Sequence, residues 1–170
     1  MQVYRLAKTA ALAAVLLGMT FGAGAAQAKT IYHYIAKNGK AMVPPPAGWT
    51  SAVPLVAKAD VAKGKSYAQS VCGACHSLNE GGGTRFGPNL WNILDRPHAH
   101  VTDFNYSTEI KSMKMRPWSY AELDSFLFAP QIHAPGTRMP FAGIKDTQTR
   151  ADVIAYLRTL SDHPKPLPKK

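Results

Sequence analysis

Two cysteines lie three positions apart in Cys72-Gly73-Ala74-Cys75, and His76 follows them directly. They are the only cysteines of the chain. Two thiols at this spacing, near a helix end, can reach the two vinyl groups of one haem, and the next imidazole can then ligate the iron. The pattern predicts one covalently attached haem c, held by Cys72 and Cys75, with His76 as one iron ligand.

Other uses of the two thiols fit the sequence less well. A structural zinc site needs four ligands, and there is no second cysteine pair to supply them. A redox dithiol usually lies in a βαβ setting, whereas the segments around Cys72 are typical of helix and loop. Cysteines this close on a helix rarely reach the geometry of a disulfide. Haem attachment is therefore the favoured interpretation.

The second iron ligand is the residue that separates electron transfer from ligand chemistry. Met139 is the best candidate because it lies in a loop, 135–141, that has proline near both ends and precedes the last predicted helix. A methionine between Arg138 and Pro140 would be an unusual core residue. Met42, Met113, Met115 and the other histidines are alternatives, and His133 is the strongest of them because it is close to Met139 in sequence.

The first 28 residues predict a secretory signal peptide. Arg5 and Lys8 precede an uncharged stretch, 9–28, that ends in the small-residue cleavage pattern Ala26-Gln27-Ala28. The alternative is an uncleaved membrane anchor, because 20 uncharged residues are close to the length of a membrane span. Three glycines and Gln27 weaken that alternative. We expect a mature protein that begins at Lys29 and is located in the periplasm.

Basic residues exceed acidic ones, with 20 Lys and Arg against 10 Asp and Glu. Without Arg5 and Lys8 the balance is still 18 against 10. Export and the lack of a nucleic-acid-binding motif argue against a nucleic acid partner. The charge instead favours a protein partner with an acidic surface or an anionic membrane face, through long-range steering that weakens with salt.

The rest of the chain divides into three parts. Residues 29–58 form a Pro-rich extension with a candidate hairpin at Asn38-Gly39, and residues 163–170 form a Pro- and Lys-rich tail that we expect to be disordered. Residues 59–162 form one domain. Its patterns predict a helix capped by Asp60, a short helix over 106–113, a helix with a capping box at Ser119, a last helix over 147–160, and no convincing strands. The expected fold class is all-α.

From Asp60 to Leu160 the chain resembles the class I cytochromes c, particularly the mitochondrial-like type found in bacteria. The resemblance implies the cytochrome c fold, with three to five helices around one haem. The segments that carry it are Cys72-Gly-Ala-Cys75-His76, Gly87-Pro88-Asn89-Leu90, Phe104-Asn105-Tyr106, Trp118, 135–144 and 150–157.

The resemblance also implies roles for individual residues. His76 and Met139 correspond to the two axial ligands, and the Pro88 carbonyl corresponds to the acceptor that orients the His76 imidazole. Phe141 corresponds to the aromatic residue beside the exposed haem edge. The residues similar to those that hydrogen-bond the haem propionates are Arg96, Tyr106, Trp118 and Thr137.

Some positions depart from the family pattern. Phe126 replaces a tyrosine found near the methionine ligand in many relatives, so one hydrogen bond to that sulfur is in question. Gln131 and Ile132 replace the lysines that usually precede the ligand loop, which affects docking. Asn92 and Asp95 replace glycines in the loop after Leu90, which leaves the backbone of that loop open.

The resemblance implies a non-enzymatic one-electron carrier. The expected donors are a quinol–cytochrome c reductase or a dehydrogenase, and the expected acceptors are a cytochrome oxidase or a reductase. One alternative is a haem subunit of a larger oxidoreductase, with residues 29–58 as a docking arm. Another is a haem enzyme whose sixth ligand, Met139 or His133, is displaceable.

Overall fold

Helices and loops make up the computed structural model, which describes residues 48–169. The α-helices are α1 (Val61–Ser70), α2 (Thr108–Ser112), α3 (Tyr120–Phe128), α4 (Pro130–His133) and α5 (Thr147–Thr159). Two 3₁₀ segments, Val53–Lys58 and Cys72–Ala74, precede and follow α1. Within the described residues the extended structure is limited to an isolated bridge between Pro97 and Pro117. The all-α prediction is confirmed.

Helix starts follow the predicted capping residues. The Asp60 carboxylate accepts hydrogen bonds from the backbone N–H groups of Ala62 and Lys63, at 3.0 and 3.1 Å. The Ser119 hydroxyl accepts one from Glu122 N–H at 3.2 Å. Each bond satisfies a backbone donor that the first helical turn leaves unpaired. These local interactions fix where α1 and α3 begin.

The helices α1 and α5 cross in direct backbone contact at Gly64. A Cβ atom on Gly64 would lie 3.0 Å from the backbone nitrogen of Val153 and still closer to the Asp152 carbonyl. Ala68 and Ala151 are fully buried. Small residues therefore allow the two helices to approach, and this packing holds the end of α1, which leads into Cys72, against the core.

A buried ion pair ties the start of the domain to its last helix. Arg150 and Asp124 are both fully buried, with Arg150 Nε 2.6 Å from Asp124 Oδ1. Arg150 Nη2 also donates to the Thr50 carbonyl at 2.5 Å, and the Ala52 N–H donates to Asp124 at 3.0 Å. The sequence assigned residues 50–58 to the extension, but here they pack as part of the domain because these buried charges need donors and acceptors from them.

The segment after α5 also differs from the expected disordered tail. The Tyr120 hydroxyl donates to the Pro166 carbonyl at 3.1 Å, and Arg158 Nε donates to the Lys165 carbonyl at 2.5 Å. The Lys165 side chain forms an ion pair with Asp95. Three side chains from distant parts of the chain therefore hold residues 165–166 against the domain.

Two residues in the loop after Leu90 adopt left-handed backbone angles although neither is glycine. Asn92 and Asp95 have φ angles of 58° and 65°. Asparagine and aspartate tolerate this region better than other residues with a Cβ atom. The Asn92 N–H donates to the Leu160 carbonyl at 2.7 Å, and the Asp95 N–H donates to the Trp118 carbonyl at 3.0 Å. The replacement of glycine therefore leaves the loop attached to the core.

Within residues 48–169 none of the helices combines the length and apolar character that a membrane span requires. The predicted signal peptide, the candidate hairpin at Asn38-Gly39 and Met42 lie outside the described residues.

Candidate haem site

The two cysteines lie where α1 ends. Cys72 begins a short 3₁₀ turn, and its carbonyl accepts from the N–H groups of Cys75 and His76 at 3.0 and 2.9 Å. Both cysteines are free thiols and half-buried. Burial raises the pKa of the Cys72 thiol to about 11. The turn presents two reduced thiols and an imidazole from one short segment, as covalent haem attachment requires.

His76 is oriented by a single backbone acceptor. Its Nδ1 lies 2.6 Å from the Pro88 carbonyl oxygen, the contact that the family resemblance implied. A ring that donates from Nδ1 carries its lone pair on Nε2, the form in which imidazole binds a metal. Burial lowers the pKa of His76, partly offset by the Pro88 carbonyl, which favours this neutral form.

Gly87 leaves room for the His76 ring. A Cβ atom on Gly87 would lie 2.7 Å from both ring nitrogens of His76. The Gly87 N–H also donates to the Cys75 carbonyl at 2.9 Å, so the loop is bonded back to the attachment turn. The close approach that the structure contains at Gly87 is to the histidine ring.

Met139 is half-buried against the core, in a loop held by hydrogen bonds. Gln131 Nε2 donates to the carbonyls of Thr137 and Met139 at 3.1 and 3.2 Å. The Thr137 N–H donates to the Ala134 carbonyl at 2.9 Å. In the sequence, Gln131 indicated only the loss of a lysine from the docking surface. Its role in positioning the loop was not predicted. A polar residue one helical turn before a ligand loop was the available signal.

Phe126 precedes the ligand loop in the chain, and Phe141 is the last residue of that loop. Phe141 is half-buried and packs against the core. Phe126 is buried, with its ring centroid 5.1 Å from that of Trp118 in an edge-on arrangement. Phenylalanine has no hydroxyl, so Phe126 cannot supply the hydrogen bond that a tyrosine would offer to a methionine sulfur.

Two of the residues assigned to the propionates, Arg96 and Trp118, lie in segments that are hydrogen-bonded to each other. The Trp118 N–H donates to the Arg96 carbonyl at 2.8 Å, which joins their backbones. The Tyr106 hydroxyl is buried and has no hydrogen-bond partner of normal geometry within residues 48–169. Burial raises the pKa of Tyr106, partly offset by the Val101 backbone and the Arg96 guanidinium. A buried hydroxyl beside a cation is suited to an anionic group such as a propionate.

The rival ligands have other environments. His133 is buried, with Nδ1 2.9 Å from Ser125 Oγ and Nε2 3.1 Å from the Glu122 carboxylate. Met113 is a core residue with 4% exposure, because it follows the buried Ile110 at the end of α2. Met115 is 93% exposed. Among the described candidates, Met139 remains the best fit to a sixth ligand.

These observations fit a covalently bound haem. His76 has one nitrogen bonded to a backbone acceptor, Gly87 leaves room for its ring, and two thiols precede it in sequence. The buried Tyr106 hydroxyl needs a polar partner. Cys72 and Cys75 would hold such a group covalently, His76 and Met139 would ligate the metal, and Arg96, Tyr106, Trp118 and Thr137 would face its carboxylates.

The family model of cytochrome c matches residues 61–161. The chain belongs to the cytochrome c family. Family members carry covalently attached haem c, so the predicted cofactor is confirmed together with the family. The match covers the whole segment from α1 to the end of α5, which includes all the candidate site residues.

Relatives of this chain include bacterial and protozoan proteins. It is 44% identical over 115 residues to a cytochrome c homolog of Bradyrhizobium diazoefficiens, covering 67% of this chain and 61% of that protein. It is 42% identical over 104 residues to a cytochrome c homolog of Rickettsia prowazekii, covering 61% and 58%. It is 41% identical over 107 residues to cytochrome c of Theileria annulata, covering 63% and 91%. The match thus spans about three fifths of the two bacterial relatives.

Proposed function

We propose that this protein is a periplasmic one-electron carrier. It takes electrons from a quinol–cytochrome c reductase or a dehydrogenase and passes them to a cytochrome oxidase or a reductase. The observation that carries the proposal is the positioning of both candidate ligands. The Pro88 carbonyl orients His76, and Gln131 holds the loop that contains Met139. Histidine and methionine ligation raises the reduction potential and leaves no open position on the iron, which favours electron transfer over catalysis.

Positive charge near the site supports docking to an acidic protein. Arg85 is exposed and donates from Nη1 to the Gly73 carbonyl, inside the attachment turn, at 2.6 Å. Arg138 is exposed beside Met139 and donates to the Asn105 carbonyl at 3.1 Å. Phe86 is 86% exposed next to Arg85. Aromatic residues and arginine, such as the adjacent Phe86 and Arg85, are enriched at protein interfaces.

The location rests on the N-terminal sequence. Residues 1–28 have the pattern of a secretory signal peptide, which supports export to the periplasm. An uncleaved segment would instead tether the same domain to the membrane. The excess of basic over acidic residues, 20 against 10 with this segment and 18 against 10 without it, would favour an anionic membrane face in either case.

The axial ligand is tested with Met139→Ala in the purified holoprotein. We expect the oxidised wild type to have a far-red sulfur-to-iron absorption band and the variant to lack it. Met115→Ala is the matched control, because Met115 is 93% exposed and should leave the band unchanged. An oxidised wild type that lacks the band and binds cyanide at once would refute the carrier proposal and favour the haem enzyme.

Docking is tested by the rate of electron transfer to an acidic redox protein. Arg138→Gln and Arg85→Gln should each lower the second-order rate constant at low salt, and the difference from wild type should shrink as salt rises. Lys63→Gln is the control, since Lys63 lies on α1 and its side chain is 78% exposed. Equal losses in all three variants would indicate that net charge alone matters and that no docking face surrounds the site.

The alternative of a subunit in a larger complex depends on the N-terminal extension. Because residues 50–58 belong to the packed domain, a deletion that removes them would disrupt the fold. The deletion that tests a docking arm is therefore 30–47. Unchanged co-purification with membrane complexes after this deletion would exclude the docking-arm hypothesis.

A further inference from the structure

A cluster of three buried side chains lies outside the predicted haem ligands. His98 comes from the loop after Arg96, Glu122 from α3 and His133 from the end of α4. Their side chains are 0%, 2% and 2% exposed. Glu122 Oε2 lies 3.1 Å from His133 Nε2 and 3.8 Å from His98 Nε2. None of these three atoms has a hydrogen-bond partner of normal geometry within residues 48–169.

The remaining polar atoms of the cluster are all occupied. His98 Nδ1 lies 2.7 Å from the Arg116 carbonyl and His133 Nδ1 lies 2.9 Å from Ser125 Oγ. The Arg116 guanidinium forms an ion pair with the other carboxylate oxygen, Glu122 Oε1. Ligating histidines usually have the second ring nitrogen bonded in this way, and ligating carboxylates are similarly held from outside. The outer contacts orient three unpaired donor atoms toward one point.

The charge states of the cluster are those of metal ligands. His98 donates from Nδ1 to the Arg116 carbonyl, so Nε2 of the neutral ring carries a lone pair. The Arg116 guanidinium pairs with Oε1 and stabilises the anionic form of Glu122. A metal ion would replace the proton that His133 Nε2 and Glu122 Oε2 can share across 3.1 Å. Two imidazoles and one carboxylate form a donor set that zinc commonly takes.

We propose that His98, Glu122 and His133 bind one divalent transition metal ion of the zinc class. The three donor atoms lie within 4.8 Å of one another. Atoms with these separations lie on a circle of radius at most about 2.4 Å, whereas Zn–N and Zn–O distances are about 2.0–2.2 Å, so shifts of a few tenths of an ångström would complete the site. Three protein ligands leave the fourth position of a tetrahedral zinc ion for a water molecule.

The ion would join one loop and two helices around Trp118. The His98 ring stacks on the Trp118 indole with centroids 3.7 Å apart, and the His133 ring lies 6.2 Å from the same indole. Bound metal would therefore restrain the 96–100 loop, α3 and α4 together with the indole between them. Because it binds only the folded protein, it would also raise the unfolding temperature.

The test uses the holoprotein, refolded from guanidinium chloride with Zn²⁺ present because the site is closed. After dialysis against metal-free buffer, zinc and iron are counted by plasma mass spectrometry. We expect one zinc per iron in the wild type and in the control His163→Gln, which changes an exposed histidine. Glu122→Gln and His133→Gln should each weaken zinc binding by about 100-fold or more. The haem absorption spectrum and circular dichroism verify that each variant is folded.

Measurements on the wild type are sufficient to overturn the proposal. Retention of no zinc, with no rise in unfolding temperature when Zn²⁺ is present, would show that the cluster shares protons and not a metal ion. Zinc retained equally by wild type and folded Glu122→Gln would place the ion elsewhere and would also refute it. Loss of zinc from both ligand variants, with retention in His163→Gln, would support it.

Discussion

Gly87→Ala is the substitution that most directly tests how the chain positions its histidine ligand. Gly87 is buried, and the added methyl group would lie 2.7 Å from both ring nitrogens of His76. An ordinary carbon contact needs at least about 3.4 Å, so ring and loop must separate by more than about 0.7 Å, because the ring carbon Cε1 would lie closer still. The ring cannot move freely, because His76 follows the attachment turn and is bonded to the Pro88 carbonyl.

The expected cost follows from these two constraints. Overpacking of this size costs about 1–3 kcal/mol, and weakening the His76–Pro88 hydrogen bond adds about 0.5–1.5 kcal/mol. Alanine has less conformational entropy than glycine in the unfolded chain, which stabilises the folded protein by about 0.4–1 kcal/mol. We therefore expect the free energy of unfolding to fall by about 2 kcal/mol, within the range of about 0.5–4 kcal/mol that these terms allow.

The control is Gly83→Ala in the same loop. Gly83 is exposed, and a Cβ atom there would have no neighbour within 4 Å. It should be neutral or stabilising by up to about 1 kcal/mol. Guanidinium unfolding of the two holoproteins, followed by circular dichroism and haem absorption, gives the difference. If the two variants differ by less than about 0.5 kcal/mol, the explanation of Gly87 as clearance for the imidazole is wrong.

Two further predictions concern contacts that the sequence did not reveal. Asp124→Asn keeps the shape of the side chain but leaves the buried Arg150 without its anion, so it should lower the free energy of unfolding by about 3–5 kcal/mol. Lys63→Met changes an exposed residue and should lower it by less than about 1 kcal/mol. Urea unfolding measures both values. Tyr120→Phe should cost about 1 kcal/mol and speed proteolysis of the C-terminal segment, because it removes the hydroxyl that holds that segment. Burial raises the pKa of Tyr120, so this anchor should be fully present below about pH 10 and be lost as the pH rises through the raised pKa.

Local chemistry explains why the fold class and the attachment motif were predictable. The Asp60 and Ser119 caps act on N–H groups two or three residues away, and the cysteine spacing is read within five residues. The domain limits were not predictable in this way. Residues 50–58 look like a Pro-rich extension until Asp124 and Arg150, more than 70 positions later, are placed beside them. Such bonds have no local sequence signal.

Glu122 illustrates how a correct local interpretation can conceal a second role. The capping-box pattern correctly predicted the start of α3, and Ser119 accepts the Glu122 N–H as that pattern requires. In a complete capping box the glutamate would bond the Ser119 N–H, but that N–H donates to the Pro117 carbonyl at 2.9 Å. The carboxylate is therefore released from the helix end and turns inward, to Arg116 and the two buried histidines. The helix start is thus independent of the carboxylate, so Glu122→Gln can remove the anion from the cluster without removing the cap.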